Sequence, residues 1–131
     1  MPEIVRHLGG IVFRVGEHLH FLPATVALEV LPMPEIARVP GAPPELAGVA
    51  VVKGTTLPVV TVGQSRGCLL VCSYLGERVG LLGVEIVATG RFEAREQDTV
   101  HGEQVTFEGR PARLFDVSAV VARFRDGRWA V

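Results

Sequence analysis

Residues 48–62, GVAVVKGTTLPVVTV, decide the fold because they form the densest β-forming segment of the chain. Two apolar runs flank residues 53–56 (KGTT), and a glycine-containing turn between such runs predicts a tight β-hairpin or a sharply bent strand. Lys53 is the only lysine in the protein. By strand alternation it shares a face with Val49 and Val51. A lone cation at the rim of an apolar face is either a solvated strand end or part of a binding surface.

The overall composition is that of one compact domain spanning residues 1–131. Hydrophobic residues make up 48% and charged residues 21% of the chain, as in ordinary globular domains. A chain of this length buries enough surface to fold without disulfides or a metal. Its formal charge of −1 gives no global attraction to nucleic acid or to anionic lipid.

The sequence predicts a cytoplasmic protein without direct membrane insertion. No apolar stretch approaches the ~18 residues of a membrane-spanning helix. The first ten residues, MPEIVRHLGG, lack the basic start and apolar core of a signal peptide. Cys68 and Cys72 fall in one predicted strand, about 13 Å apart, which is beyond disulfide reach. Two reduced, half-buried thiols fit a reducing compartment.

The N-terminal half begins with short extended runs. Residues 11–15 and 19–22 flank the turn Gly16-Glu17, which predicts a β-turn-β start. In residues 24–31, successive residues of a strand would point to opposite faces. Glu29 would lie on one face, and the valines and Leu28 on the other. The segment could also form two helical turns, but the alternation favours a strand with Glu29 facing away from the core.

A proline-rich segment then precedes the hairpin of residues 48–62. Residues 32–44 contain five prolines, which exclude a central strand or a long helix. We expect a loop laid over the domain, with Ile36 and Val39 as its apolar anchors.

The C-terminal half also reads as β-structure, closed by a helix. The strands expected there are residues 68–75 and 78–87, joined at Gly76-Glu77, and a hairpin of residues 104–107 and 110–115 around Glu108-Gly109. The polar residues 89–102 are expected to form a loop. Asp116 is a favourable N-cap, and apolar residues at helical spacing predict a helix over residues 117–125.

Many short strands with glycine turns predict a mainly β barrel or sandwich. The ends of the chain, residues 1–10 and 126–131, are expected to be loosely ordered tails. The charged tail also carries Trp129, which we expect to dock loosely on the surface.

The chain carries no evident catalytic or metal-binding constellation. His18 and His20 would share one strand face, but no third ligand follows at metal-ligand spacing. Cys68 and Cys72 lie among leucines and valines, whereas a catalytic thiol needs an electropositive, accessible setting. A small thiol enzyme therefore remains only as a rival, and buried core cysteines are the favoured interpretation.

The remaining polar features also point away from catalysis. The carboxylates lack the paired, apolar setting of a tuned acid, and a solvated face explains them; they are Glu85, Glu93, Glu96, Asp98 and Glu103. The glycines match neither GxGxxG nor GxxxxGK[ST]. One tryptophan, one tyrosine and a neutral charge balance argue against nucleic acid. The residues favour a binding module with no cofactor and no metal, and they do not name its partner.

The opening stretch resembles the signature of the CheW-like family, the adaptor proteins of bacterial chemotaxis arrays. The family pattern G-V-I-N-L-R-G followed by P-V-I-D-L is matched by residues 48–54, GVAVVKG, and 58–62, PVVTV. Further similar segments lie in the family's order at residues 13–17, 27–30, 38–40, 79–82 and 114–116. The signature asparagine is replaced by Val51, the arginine by Lys53, and two aspartates by Thr61 and Val84.

The resemblance implies two small five-stranded SH3-like β-barrels packed on a shared core, with a short C-terminal helix. A strand buried on both faces, such as residues 57–62, suits that arrangement. The family is not enzymatic: it bridges a CheA-type histidine kinase and the cytoplasmic tip of a methyl-accepting chemoreceptor. The regulatory domain of the kinase pairs barrel to barrel with the adaptor, and the receptor lies in the groove between the barrels.

Residue by residue, the resemblance assigns a partner-binding role to one set of positions: Glu29, Val30, Val51, Lys53, Gly54 and Pro58. The charged pair among them would set orientation and partner choice, and the apolar groove would supply affinity. The alternative is a diverged CheW-like scaffold that serves another pathway, such as motility or development, or that assembles with itself.

Overall fold

The structure, a computed structural model, describes residues 5–95 and 104–125. Within these ranges the chain forms ten strands and one helix in the following order: β1 Val5–Val15, β2 His18–Pro23, β3 Ala27–Pro32, β4 Leu46–Val52, β5 Thr55–Thr61, β6 Cys68–Tyr74, β7 Glu77–Leu82, β8 Glu85–Arg95, β9 Gln104–Phe107, β10 Arg110–Leu114 and α1 Val117–Arg125.

The first sheet closes on itself as a small barrel. Its strand order is β1-β2-β10-β9-β8, and β1 pairs with both β2 and β8. Strand β10 pairs with β2 in a parallel arrangement, so the last strand of the chain lies next to the N-terminal hairpin. The barrel is filled by inward-facing apolar side chains, chiefly Val12, Leu19, Phe21, Phe92, Val105 and Ala112.

The second sheet has the order β3-β6-β7-β5-β4, so β3 and β4 are its two edges. The loop after β3 returns to the β4 edge, where Ala37 and Val49 exchange two backbone hydrogen bonds of 2.8 Å. The interior of this sheet is packed with Ala50, Val52, Leu57, Val59, Leu69 and Val71.

A third apolar cluster joins the two sheets. Phe13 and Leu22 from the first sheet pack in it with Val60, Leu70 and Leu81 from the second. The N-terminal end of α1 also contributes Val117. The expectation of two small β-units packed on a shared core is therefore confirmed.

Strand β5 buries both of its faces, as predicted. Leu57 and Val59 point into the interior of the second sheet. Val60, on the opposite face, belongs to the core between the sheets. This double burial explains why the strand reads as an almost continuous apolar run.

Several local predictions are confirmed. The hairpin of residues 48–62 is formed by β4 and β5, and the C-terminal hairpin by β9 and β10. Both turn through two residues with positive φ, and the second is glycine in each: Lys53-Gly54 and Glu108-Gly109. This is the geometry that two-residue hairpin loops prefer.

The prediction of one strand over residues 78–87 is wrong, because the chain changes sheets at Gly83. This residue has φ +100, and a Cβ there would lie 2.2 Å from the carbonyl oxygen of Gly63. Strand β7 ends before this close backbone approach, and β8 begins after it in the other sheet. The preceding turn is also one residue earlier than predicted, at Leu75-Gly76, both with positive φ.

The prediction of a loop is wrong at residues 89–95, and the prediction of a loosely ordered tail is wrong at residues 5–10. Strand β8 continues to Arg95 and pairs with a β1 that begins at Val5. Each segment is polar along much of its length and becomes a strand by pairing with the other. The rest of the predicted loop and tails, at residues 1–4, 96–103 and 126–131, including Trp129, lies outside the described residues.

Both cysteines are free and belong to β6. Cys72 is fully buried in the core between the sheets, and burial raises the pKa of its thiol from 9.0 to about 12. Cys68 is half-buried, and burial raises its thiol pKa as well. Neither setting produces the thiolate that a nucleophile requires, because both shifts favour the neutral thiol.

We predict that Cys72 does not react with a thiol reagent near neutral pH while the protein is folded. In a Cys68→Ala variant, labelling should be absent in native buffer and complete in denaturant, because only unfolding releases Cys72 from the core. Mass spectrometry before and after denaturation measures this. Rapid labelling of the folded Cys68→Ala variant would contradict the assignment of Cys72 to the core.

Asp116 caps α1 as predicted. Its Oδ1 accepts a hydrogen bond from the Ser118 hydroxyl and one of 3.2 Å from the Ala119 backbone N–H. These two contacts, that of Ser118 first, lower the pKa of Asp116 below its ordinary value of 3.8. The helix packs against β6, so the cap fixes where the chain leaves the sheet.

We expect Asp116→Ala to destabilise the protein by about 1 kcal/mol, the usual cost of losing an N-cap. This corresponds to a fall in the melting temperature of roughly 4 °C. Since the folded-state pKa lies below the unfolded value, the stabilisation is complete above pH 3.8 and is lost as the pH falls through the lowered pKa.

Asp116→Asn is the matched control for the cap. Asparagine caps about as well as aspartate, so stability should be retained near neutral pH while the acid-dependent loss is reduced. Thermal denaturation followed by circular dichroism across the acidic range measures both effects. An alanine variant as stable as the wild type would contradict the capping role.

Candidate functional site

The β4–β5 turn holds Lys53 at the rim of the second sheet. Lys53 and Gly54 have φ values of +50 and +78, and the strands pair up to Val52 and Thr55. A non-glycine residue in this left-handed region costs roughly 1–2 kcal/mol. Because Lys53 lies in the turn, strand alternation does not set its direction. The expectation that it shares a face with the β4 valines therefore does not describe its position.

Lys53 reaches across to the other edge of the sheet and pairs with Glu29 on β3. Its Nζ donates a hydrogen bond to Glu29 Oε2 at 2.8 Å. The lysine side chain is 71% exposed and the glutamate side chain 24% exposed. An ion pair this accessible contributes at most about 1 kcal/mol to stability. Its main effect is to hold two opposite charges in fixed positions at one corner.

The predicted orientation of Glu29 is wrong. Leu28 and Val30 are exposed, at 44% and 39%, and Glu29 shares its face with Leu31, which packs against the interior of the second sheet. The register between β3 and β6 shifts between Ala27 and Glu29. A one-residue bulge exchanges the two faces of a strand, and the alternation in the sequence carries no sign of it.

The hairpin that carries Lys53 also presents apolar surface. Val51 is 66% exposed and stands opposite Thr56, and Val49 stands opposite Pro58. Directly opposed residues of antiparallel strands share a face. The strip therefore runs along one face of the hairpin, from the turn towards Pro58.

Gly48 is required because the proline-rich loop is held against β4. A Cβ at this position, with φ +150, would lie 2.1 Å from the carbonyl oxygen of Ala37. The first glycine of the signature thus allows the loop to approach the hairpin.

The predicted partner-binding residues form one region with two faces. Glu29 and Lys53 are in direct contact, while Val51, Gly54 and Pro58 follow on the same hairpin. Val30 is adjacent to Glu29 in the chain, but its side chain lies on the other face of β3. We name the ion pair together with Val51 and Gly54 the charged corner.

Sequence reasoning missed a groove of about 1010 Å³ in the same half of the protein. It lies between the proline-rich loop and the connection from β5 to β6. Both predicted loop anchors line it, and Ile36 also packs against the interior of the second sheet. Its walls are distant in sequence, so no local pattern could have revealed it. Its lining consists of Met33, Ile36, Arg38, Val39, Ala42, Pro43, Pro44, Leu46, Ala47, Thr61, Gly63, Gln64, Ser65, Arg66 and Leu82.

His20 is part of an aromatic cluster in the first barrel. Its ring centroid lies 5.5 Å from those of Phe13 and Phe115. Burial, and to a lesser degree the charge of His18, lower its pKa. Residues 5–95 and 104–125 contain no group of three or more His, Cys, Asp or Glu residues that could hold a metal ion.

Over the described ranges, none of the helices is both long and apolar enough to traverse a lipid bilayer.

Comparison with known proteins places the chain in a family. The structure is similar to that of the scaffolding protein TtCheW from Thermoanaerobacter tengcongensis, with a TM-score of 0.62 and 19% sequence identity, over 83% of this chain and 88% of that chain. At this identity the likeness concerns the fold. No curated protein sequence matches the chain. The model of the CheW-like domain family matches residues 9–125. The chain therefore belongs to the CheW-like domain family.

Proposed function

We propose that this protein is a non-catalytic, cytoplasmic adaptor that couples a chemoreceptor to a CheA-type histidine kinase in a chemotaxis-like pathway. Family membership supports the adaptor role, as does the similarity of its fold to a scaffolding protein. The observation that carries the proposal is the charged corner, where Lys53 and Glu29 form an ion pair at the end of a hairpin that also exposes Val51.

The charged corner suits the recognition of a helical receptor tip. The hydrogen bond between Lys53 and Glu29 fixes the two charges. The corner therefore presents a donor, the lysine ammonium, and an acceptor, the glutamate carboxylate, at defined positions. Charges at the edge of an interface set orientation and partner choice. The exposed side chain of Val51 supplies apolar area on the hairpin, and Val30 supplies it on the face of β3 away from Glu29. Gly54 presents no side chain that would keep a partner from the backbone.

A second contact is needed for the kinase, whose regulatory domain would pair barrel to barrel with this protein. Two exposed leucines lie on other elements than the charged corner, Leu75 in the β6–β7 turn and Leu114 at the end of β10. Leu75 is 75% exposed and Leu114 is 41% exposed, so either side chain is available to such a contact. An adaptor with two separate contacts could hold kinase and receptor in one geometry.

A diverged scaffold for another pathway is the second candidate. It is favoured by Val51, which is 66% exposed where the family signature has an asparagine. Valine offers no hydrogen bond to a partner, whereas an amide offers two donors and an acceptor. The replacement of arginine by Lys53 also removes a planar, bidentate donor.

We expect Lys53→Glu to weaken binding to the receptor tip by about tenfold or more, because it places two carboxylates side by side at the corner. Stability should change by no more than about 1 kcal/mol, the range for an exposed ion pair. Titration with the purified cytoplasmic segment of a chemoreceptor from the same organism, alongside thermal denaturation, measures both quantities.

Arg110→Glu is the matched control, since Arg110 is exposed and follows the corresponding two-residue turn of the first sheet. It should bind like the wild type. If the wild type binds neither the receptor segment nor the regulatory domain of a CheA-type kinase, the coupling role is wrong.

The two candidate functions differ in their response to a restored signature. If the protein serves a standard chemoreceptor, the double variant Val51→Asn/Lys53→Arg should bind the receptor segment more tightly, by roughly tenfold, through the regained amide and the guanidinium fork. Each single variant serves as its control. Equal or weaker binding of the double variant would favour the diverged scaffold.

A further inference from the structure

We propose that the groove between the proline-rich loop and the β5–β6 connection is a second docking site, which binds an acidic, apolar segment of a protein partner. The inference does not rest on the coupling role or on the charged corner. It follows from the charges, the lining and the position of the groove.

The groove is positively charged. Arg38 lines it from the loop and Arg66 from the connection, and no aspartate or glutamate is among its lining residues. Both arginines are exposed, and neither makes a side-chain ion pair or hydrogen bond with any residue that the structure describes. The nearest carboxylates in sequence, Glu35 and Glu45, do not line the groove. Two unpaired guanidinium groups facing one cavity fit carboxylates, which arginine binds in a bidentate manner.

The surface between the arginines is largely apolar. Ile36, Leu46 and Leu82 line the groove and also pack on the second sheet or belong to its buried residues. These side chains are held by the core, so the groove is formed before a ligand arrives. A preformed site does not pay the entropy of ordering its own residues on binding.

The size and charge of the groove favour a peptide over other anions. Its volume of about 1010 Å³ lies at the upper end of the ~300–1,000 Å³ typical of small-molecule pockets, so it accommodates several residues. Nucleic acid binding draws on many phosphate contacts and a basic surface. Here two cations line the groove, and the whole chain carries a charge of −1. A peptide with apolar side chains between its carboxylates would contact both the arginines and the apolar residues of the groove.

The groove and the charged corner occupy opposite ends of one hairpin. Lys53 lies at the turn, whereas Leu46 and Thr61, at the far ends of β4 and β5, line the groove. Six or seven strand residues separate the two sites, or about 20 Å. One rigid element would thus set the spacing between two partners.

Binding can be tested by fluorescence anisotropy with labelled peptides in which glutamate alternates with leucine and valine. A matched set carries glutamine in place of glutamate. We expect the acidic peptides to bind the full chain more tightly than the glutamine peptides, and their affinity to fall with salt. The double variant Arg38→Glu/Arg66→Glu should lose about tenfold or more of this affinity, with an unchanged melting temperature.

Two controls separate the groove from general charge and from the charged corner. Arg91→Glu/Arg110→Glu reverses two exposed arginines outside the groove and should bind the peptides like the wild type. Lys53→Glu should also bind them normally, so failure of the groove and failure of the proposed function are distinguishable. Equal binding of acidic and glutamine peptides would overturn the proposal, as would an unaffected groove variant. Groove-dependent binding of duplex DNA or anionic vesicles without binding of acidic peptides would also overturn it.

Discussion

The double burial of β5 is the constraint on which the structure depends. Leu57 and Val59 fill the interior of one sheet while Val60, on the other face, fills the core between the sheets. A strand used in this way cannot move outward without opening two cores at once. Burying each such side chain contributes about 1.5–3 kcal/mol. Thus β5 is fixed, and so is the hairpin that it forms with β4.

Because the hairpin is fixed, the residues at its ends are also held in fixed positions. At one end, a two-residue turn with positive φ values projects Lys53 from the sheet. At the same end, Glu29 is carried by β3, whose partner β6 contributes to the same two cores. The ion pair itself stabilises little because it is exposed. Its geometry is instead imposed by the packing beneath it, which is what a surface for recognition requires.

The sequence predicted the features that depend on neighbouring residues. Glycines in the turns predicted two hairpins, and Asp116 predicted the start of the helix, whereas the double burial of β5 was expected from the family resemblance. The family resemblance supplied the two-barrel arrangement, which periodicity alone left open between a barrel and a sandwich. Of the partner-binding positions, the contact between Glu29 and Lys53 is a finding of the structure, since 24 residues separate them.

The failures have a common physical origin in contacts between distant segments. The chain changes sheets at Gly83 because the backbone of Gly63 lies against it, and β8 extends to Arg95 because β1 pairs with it. The bulge in β3 reverses the predicted faces of Glu29 and Val30, although each residue was correctly placed in a strand. In every case the local pattern was compatible with the true structure but did not require it. The groove is the extreme example, because the two segments on either side of it, the proline-rich loop and the β5–β6 connection, are both irregular and distant in sequence.

In the proposed adaptor role, the hairpin would connect the two recognition surfaces at its ends. A scaffold acts by fixing the distance and angle between partners, so its recognition surfaces should lie on an element that does not deform. Strands β4 and β5 satisfy this requirement, since their backbones are paired from the turn to Leu46 and Val60. Gly48 adds a further restraint, because it lets the loop that forms one wall of the groove bond directly to β4. Movement of that wall would have to break the Ala37–Val49 hydrogen bonds, so the loop is held to the strand that leads to the charged corner.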